Sequence, residues 1–197
     1  MVDESKYLYH YFDKNGPPLR TITSLPFEEA EKILRAVIAA ENPDKKEFIE
    51  WFPKWHLTRR YEMEMIVRDI FISIGGKPVN AAPVYFTLGE NRGMKTWYRD
   101  PDWIKIPVSE LEPGTVSFTY GDTFAVFNPE CNTGEEWWGQ VYHYEDILKL
   151  INKYGCPEDP EYDMINRILP KDKPINQYLK YIEAHVWSDE ALDKYRQ

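Results

Sequence analysis

Four histidines, two cysteines and one acidic run are the residues from which a metal site or a nucleophile would first be built. A metal ion needs several His, Cys or carboxylate ligands converging within about 2.0 to 2.6 Å. His10, His56, His143 and His185 fall on separate segments without HxxxH or HExxH spacing, and Cys131 and Cys156 form no CxxC pair, so no metal site is expected. The run Glu158 to Asp163, EDPEYD, lacks the alternating ligands and the glycine of a calcium loop and reads as solvated chain. No GxSxG, P-loop or GxGxxG occurs, which leaves acyl transfer, ATP hydrolysis and Rossmann-type redox chemistry without support. Trp137-Trp138 could stack on a sugar or a cation, or could pack on a sheet as loop aromatics. With Tyr120 they are the candidate ligand-binding side chains.

Three short segments carry a family likeness. LYHYF with His10, VYFTLG with Tyr85 and the late YIEAHVW with Glu183 resemble the His-Tyr-Glu layout of ADP-ribosyltransferases. The run WIKIPVSELEPGTVSFTYGDTF also resembles the strand region of the branch that modifies nucleobases. The resemblance implies NAD as cofactor, with His10 on the adenosine-side ribose, Tyr85 against nicotinamide and Glu183 on the nicotinamide ribose. Departure of nicotinamide leaves an oxocarbenium-like centre that a fixed carboxylate stabilises. Tyr7, Tyr9, Tyr11 and Tyr120 are alternatives to Tyr85, and a surface ion pair is the alternative role for Glu183. The whole chain also resembles a widespread group of bacterial proteins with similar YLYHYF, FTYGD and VWSDE segments, a likeness that implies no activity.

These residues need a scaffold, and the composition is that of an ordinary globular domain. The 197 residues are 43% hydrophobic and 29% charged, enough chain to bury about 70% of its unfolded surface as one domain. No apolar run approaches the roughly 18 residues of a membrane span, and the acidic start MVDESKYLYHYF is unlike a secretory leader, so a cytoplasmic protein is expected. A net charge of -9 repels phosphate backbones, which makes nucleic acid a poor partner. Seven Trp and fourteen Tyr against nine Phe suit a ligand cleft or an interface, because those rings join apolar area to a hydrogen-bonding tip.

The pattern predicts an α+β fold: one domain, a mixed and mostly antiparallel sheet, and three to four helices around it. Strands are expected at Lys6 to Phe12, Val84 to Leu88, Trp103 to Pro107 and Tyr178 to Trp187, the last with Leu179, Tyr181, Glu183 and His185 on one face. Thr115 to Phe127 reads as a tight hairpin turning at Gly121-Asp122, with Gln140 to Tyr144 a short strand or the approach to a helix. A helix should run from Phe27 to near Glu41, a short successor should end by Phe52 before Pro53, and another should span Thr58 to Ile74, with a strand at Ile70 to Ile74 as the alternative. Glu145 to Tyr154 reads as a helix, Cys156 to Asn176 as a long excursion, and Ser188-Asp189-Glu190 as the cap of a terminal helix.

Two functions follow. One is a non-catalytic module that binds a protein or small ligand through an aromatic-rich surface, with no cleft of clustered titratable groups. The other is an NAD-dependent ADP-ribosyltransferase-like enzyme acting on a protein or small-molecule acceptor, for which His10, Tyr85 and Glu183 must share one cleft and the first and last strands must lie side by side.

Overall fold

The structure, a computed structural model, describes residues 4–41, 43–129, 132, 134–157 and 181–196. Cys131, the acidic run, nearly all of the Cys156 to Asn176 excursion and the start of the last expected strand lie outside those residues. The fold is α+β, and its sheet is antiparallel throughout. In chain order the principal elements are β1 (Tyr7–Asp13), α1 (Phe27–Glu41), α2 (Lys46–Ser73), β2 (Val84–Leu88), α3 (Arg92–Lys95), β3 (Pro101–Pro107), β4 (Val116–Thr119), α4 (Thr123–Val126), α5 (Tyr144–Tyr154) and β5 (Glu183–Val186). No helix among the described residues is long and apolar enough to cross a membrane.

The strand order is β3-β1-β2-β5-β4. The first and last strands are therefore not neighbours: β2 lies between them, pairing with both. Period-2 alternation sorts each central strand between two faces. Val84, Phe86 and Leu88 of β2, Val116 and Phe118 of β4, and Ala184 and Val186 of β5 join the main core with Leu8 and Ile106. Ile147 and Leu150 of α5 close that core, Ile147 and Phe118 being fully buried. The intervening residues Tyr85, Thr87, Ser117, Thr119, Glu183 and His185 point to the other face, where α2 lies.

Two local expectations fail for identifiable reasons. Gly121-Asp122 does not turn a hairpin. Gly121 takes φ 135°, and Asp122 then accepts the Phe124 N–H at 2.7 Å as the N-cap of the short helix α4, so the chain after β4 leaves the sheet. Tyr142 supplies instead an isolated bridge to Phe118.

Pro53 does not break its helix either: α2 runs continuously from Lys46 to Ser73, and Ile70 to Ser73 is its last turn. A proline inside a helix removes the N–H that should reach the carbonyl four residues back, here that of Ile49. Arg35 of α1 fills the vacancy, its Nη1 donating to Ile49 O at 2.6 Å and its Nη2 to Glu50 O at 3.1 Å. Glu31, one turn earlier, holds the guanidinium at 2.5 Å. At the chain end, a 3-10 turn at Asp193–Tyr195 replaces the expected terminal helix.

Candidate functional site

Between the second face of the sheet and α2 lies a cavity of about 430 Å³. Its wall includes Tyr85, Glu183 and Tyr181 from the strand side, Arg60 and His56 from α2, Asp122, Thr123 and Phe124 from the start of α4, and Trp97 and Tyr98 after α3. The sheet register explains the grouping. Tyr9, Thr87, Glu183 and Thr119 form one row across four strands, and Tyr85, His185 and Ser117 form the next. Each row puts polar side chains where a helix then excludes water from them.

Glu183 is buried and is gripped at one oxygen only. Its Oε2 accepts the Thr123 N–H at 2.8 Å and the Thr123 hydroxyl at 2.5 Å, whereas Oε1 has no hydrogen-bond partner among the described residues. Behind Thr123 the bonding continues: Thr123 Oγ1 lies 2.9 Å from His185 Nε2, His185 Nδ1 lies 3.2 Å from Ser117 Oγ, and the Trp187 indole N–H donates to Ser117 Oγ at 2.9 Å. An indole N–H can only donate and an ionised carboxylate can only accept. Those two ends set most of the direction: Thr123 donates to Glu183, His185 Nε2–H donates to Thr123, and Trp187 donates to Ser117, whose contact with His185 Nδ1 follows the protonation of the ring.

A second group of contacts ties α2 to β2. The Tyr85 hydroxyl donates to Glu64 Oε1 at 2.8 Å, and the Thr23 hydroxyl donates to the same oxygen at 2.9 Å. Arg60 lies one turn before Glu64, with its Nε 3.4 Å from Oε1 and its guanidinium carbon 3.9 Å from the centroid of the Tyr85 ring. The Tyr85 ring meets that of His185 edge-on at 5.4 Å.

Burial and neighbouring charge split the carboxyl groups. Burial raises the pKa of Asp122, and the charge of Glu183 raises it further, against the Tyr181 hydroxyl that donates to Asp122 Oδ2 at 2.7 Å. Burial also pushes Glu183 upward, but His185, the Thr123 donors and the Arg60 charge outweigh it and hold Glu183 below the ordinary carboxylate value. Glu64 is raised by burial against the pull of Arg60. Neighbouring carboxyl groups pushed in opposite directions by their surroundings are the arrangement from which acid and base roles are divided. His56, half-buried between Phe52 and Phe124, is lowered to about 4 by that burial and by repulsion from Arg60.

His10, Tyr85 and Glu183, expected to share one cleft, all line this cavity, and they differ in which of their atoms are left for a ligand. Glu183 and Tyr85 share the polar face and the cavity. His10 reaches the cavity wall from β1, but it alternates in phase with Leu8, and its ring contacts Phe12 and Phe86. Its Nδ1 donates to Tyr85 O at 2.9 Å and its Nε2 accepts the Leu19 N–H at 3.0 Å, so both nitrogens are spent on backbone and burial keeps the ring neutral. Tyr85 has Arg60 over its ring, where nicotinamide was expected.

Tyr120, Trp137 and Trp138 do not line the cavity: Tyr120 and Trp137 belong to the main core with rings 5.9 Å apart, and Trp138 packs against it while donating to Asn128 O. They are packing aromatics because the chain after β4 folds back over the apolar face. Among the described residues no His, Cys, Asp and Glu group could hold a metal ion.

Arg60, Glu64, Asp122 and Thr123 are site residues that the sequence reading did not single out. A signal existed for two of them: Arg60, Glu64, Val67 and Phe71 recur at helical spacing, which places two charges on the buried stripe of α2. Comparison with protein-family models, curated proteins and solved structures finds no match to this chain.

Proposed function

We propose that the chain is an enzyme acting on a small hydroxylated ligand in this cleft. Glu183 is the carboxylate that stabilises developing positive charge and takes a proton, and Asp122, its pKa raised by burial and by the Glu183 charge, is the carboxyl group beside it. The observation that supports this most is the one-sided grip on Glu183: Thr123 fixes Oε2, and Oε1 is left unbonded at the wall of a cavity of ligand size. A carboxylate so held needs no reorganisation as charge appears beside it.

Cleavage of a glycosidic C–N bond is the chemistry that fits. The bonding pair leaves with the base, the ribosyl carbon becomes oxocarbenium-like beside Glu183, and a hydroxyl or water adds to that carbon while its proton passes to the carboxylate. NAD is the first donor to test. Of the three transferase roles, the geometry favours only that of Glu183, because His10 and Tyr85 are engaged elsewhere. The test is incubation of the pure protein with NAD and with nucleosides, following released nicotinamide or base by chromatography. Glu183→Gln should lower release by about a hundredfold or more. Wild type no faster than Glu183→Gln with every donor overturns the reading.

The non-catalytic reading keeps one specific support. Trp51 and Trp55 on the first turns of α2 are about half exposed and form a cluster with Phe48 and Phe52, an aromatic surface open to a protein partner. It does not account for the titratable groups gathered under α2.

A further inference from the structure

The guanidinium of Arg60 is incompletely used. Its Nε is buried and ion-paired with Glu64 Oε1 at 3.4 Å but not oriented for a hydrogen bond, and Nη1 and Nη2 have no partner among the described residues. Buried polar groups are nearly always bonded, and a guanidinium with a buried unbonded Nε and an open Nη edge at a cavity wall suits an anionic acceptor. Stacking on Tyr85 at 3.9 Å fixes the plane of the group, and Glu64 sits on its Nε side, which leaves the Nη edge for a ligand. Tyr98, on the same cavity wall and close enough to feel the Arg60 charge, has a hydroxyl with no partner among the described residues. Arg20 also lines the cavity.

These donors lie along the strands from Glu183, with the Arg60 charge still within reach of its carboxylate. Tyr98 precedes the segment that Asp13 anchors, where Asp100 N–H donates to Asp13 Oδ2 at 3.1 Å, at the far end of β1. Glu183 lies in the row of Tyr9, four residues back from Asp13. Tyr85, with Arg60 over its ring, lies two strand residues from Thr87 in the Glu183 row, about 7 Å at roughly 3.3 Å per residue, which is the reach of a sugar phosphate. The cavity is therefore bipolar along its length.

We propose that the cleft selects a phosphomonoester, such as a sugar or nucleoside monophosphate, whose phosphate is held by Arg60 Nη1 and Nη2 and the Tyr98 hydroxyl while its sugar carbon lies at Glu183. This rests on the reading of the cleft as the working site. A guanidinium edge satisfies two oxygens, and a hydroxyl from a different element suits the third oxygen of a tetrahedral phosphate, which a planar carboxylate lacks.

The test is calorimetric titration of the full chain with ribose 5-phosphate and inorganic phosphate, with succinate as the carboxylate control. Both phosphates should bind and succinate should not. Arg60→Lys, which keeps the charge and loses the fork, should weaken phosphate binding about tenfold or more, and Tyr98→Phe about threefold, each with an unchanged circular dichroism spectrum. Glu183→Gln should not weaken phosphate binding while removing glycosidic turnover. No phosphate binding, equal binding by Arg60→Lys, or succinate binding as tightly as phosphate overturns the proposal. Phosphate binding that depends on Arg60 in a protein without turnover upholds this inference and sinks the reaction. Turnover of unphosphorylated donors that ignores Arg60→Lys does the reverse.

Discussion

Alternate residues of β4 and β5 leave the same backbone in opposite directions and meet opposite surroundings. Val116, Phe118, Ala184 and Val186 enter an apolar core closed by Ile147 and Leu150. Ser117, Thr119, Glu183 and His185 enter a layer that α2 covers just as completely, and all eight residues are buried. An antiparallel sheet commonly gives one face to the core and the other to water. Here the second face has lost its water and kept its polarity, and the hydrogen-bond chain from Trp187 to Glu183 meets the cost of that burial. One face holds the fold together, and the other spends part of that stability on a site.

The sharpest way to break this contrast is substitution in the apolar face. Phe118→Ala removes a fully buried ring and should cost about 4 kcal/mol, seen as a lowered urea midpoint. The polar face depends on a continuous α2, so Arg35→Met, which orphans the Ile49 carbonyl, should cost about 2 kcal/mol and raise hydrogen exchange around Pro53. A protein equally stable without Arg35 would show that the carbonyl finds another donor.

A third substitution concerns acid sensitivity. His56 titrates near 4 in the folded chain against 6.5 for the free residue. Its depressed value means that its contribution is present above pH 6.5 and is lost as the pH falls toward 4, by about 2 kcal/mol after discounting its partial exposure. His56→Phe should flatten stability across that window, and an unchanged profile would assign the acid sensitivity elsewhere.

The smallest effect has the opposite sign. Asp122 is raised by burial and by Glu183, so its favourable share is full below the unfolded value near 3.8 and is lost as pH rises through its higher folded value. Asp122→Asn keeps a good N-cap and removes that loss. It should gain about 1 kcal/mol at pH 7 and nothing at pH 3. A loss at pH 7 would mean that the face is built for stability after all.

Much of the fold was legible because it follows from side-chain periodicity. VYFTL became β2 without adjustment, EDILKLINKY became nearly all of α5, and WIKIP lies within β3. Failures came where one residue's local preference was answered from a distance: Pro53 by an arginine fourteen residues before the carbonyl it repairs, and Gly121-Asp122 by a helix start instead of a turn. For the site, the motif brought His10, Tyr85 and Glu183 to one cavity wall, but it could not tell that both His10 nitrogens would be taken by backbone, since that depends on what the sheet packs beside the imidazole. Arg60 and Glu64 were written into the stripe of α2, but charges in an apolar stripe identify a site only when the opposing surface is known. Asp122 and Thr123 depend on where β4 ends, which periodicity over four residues does not fix.

The row of donors behind Glu183 ends in a group that ordinarily neither gains nor surrenders a proton near neutrality. It is a dead-end wire: it can orient the carboxylate, but it cannot carry charge through to the far side of the sheet. A proton that leaves the neighbourhood of Glu183 altogether therefore leaves on the side of the cavity.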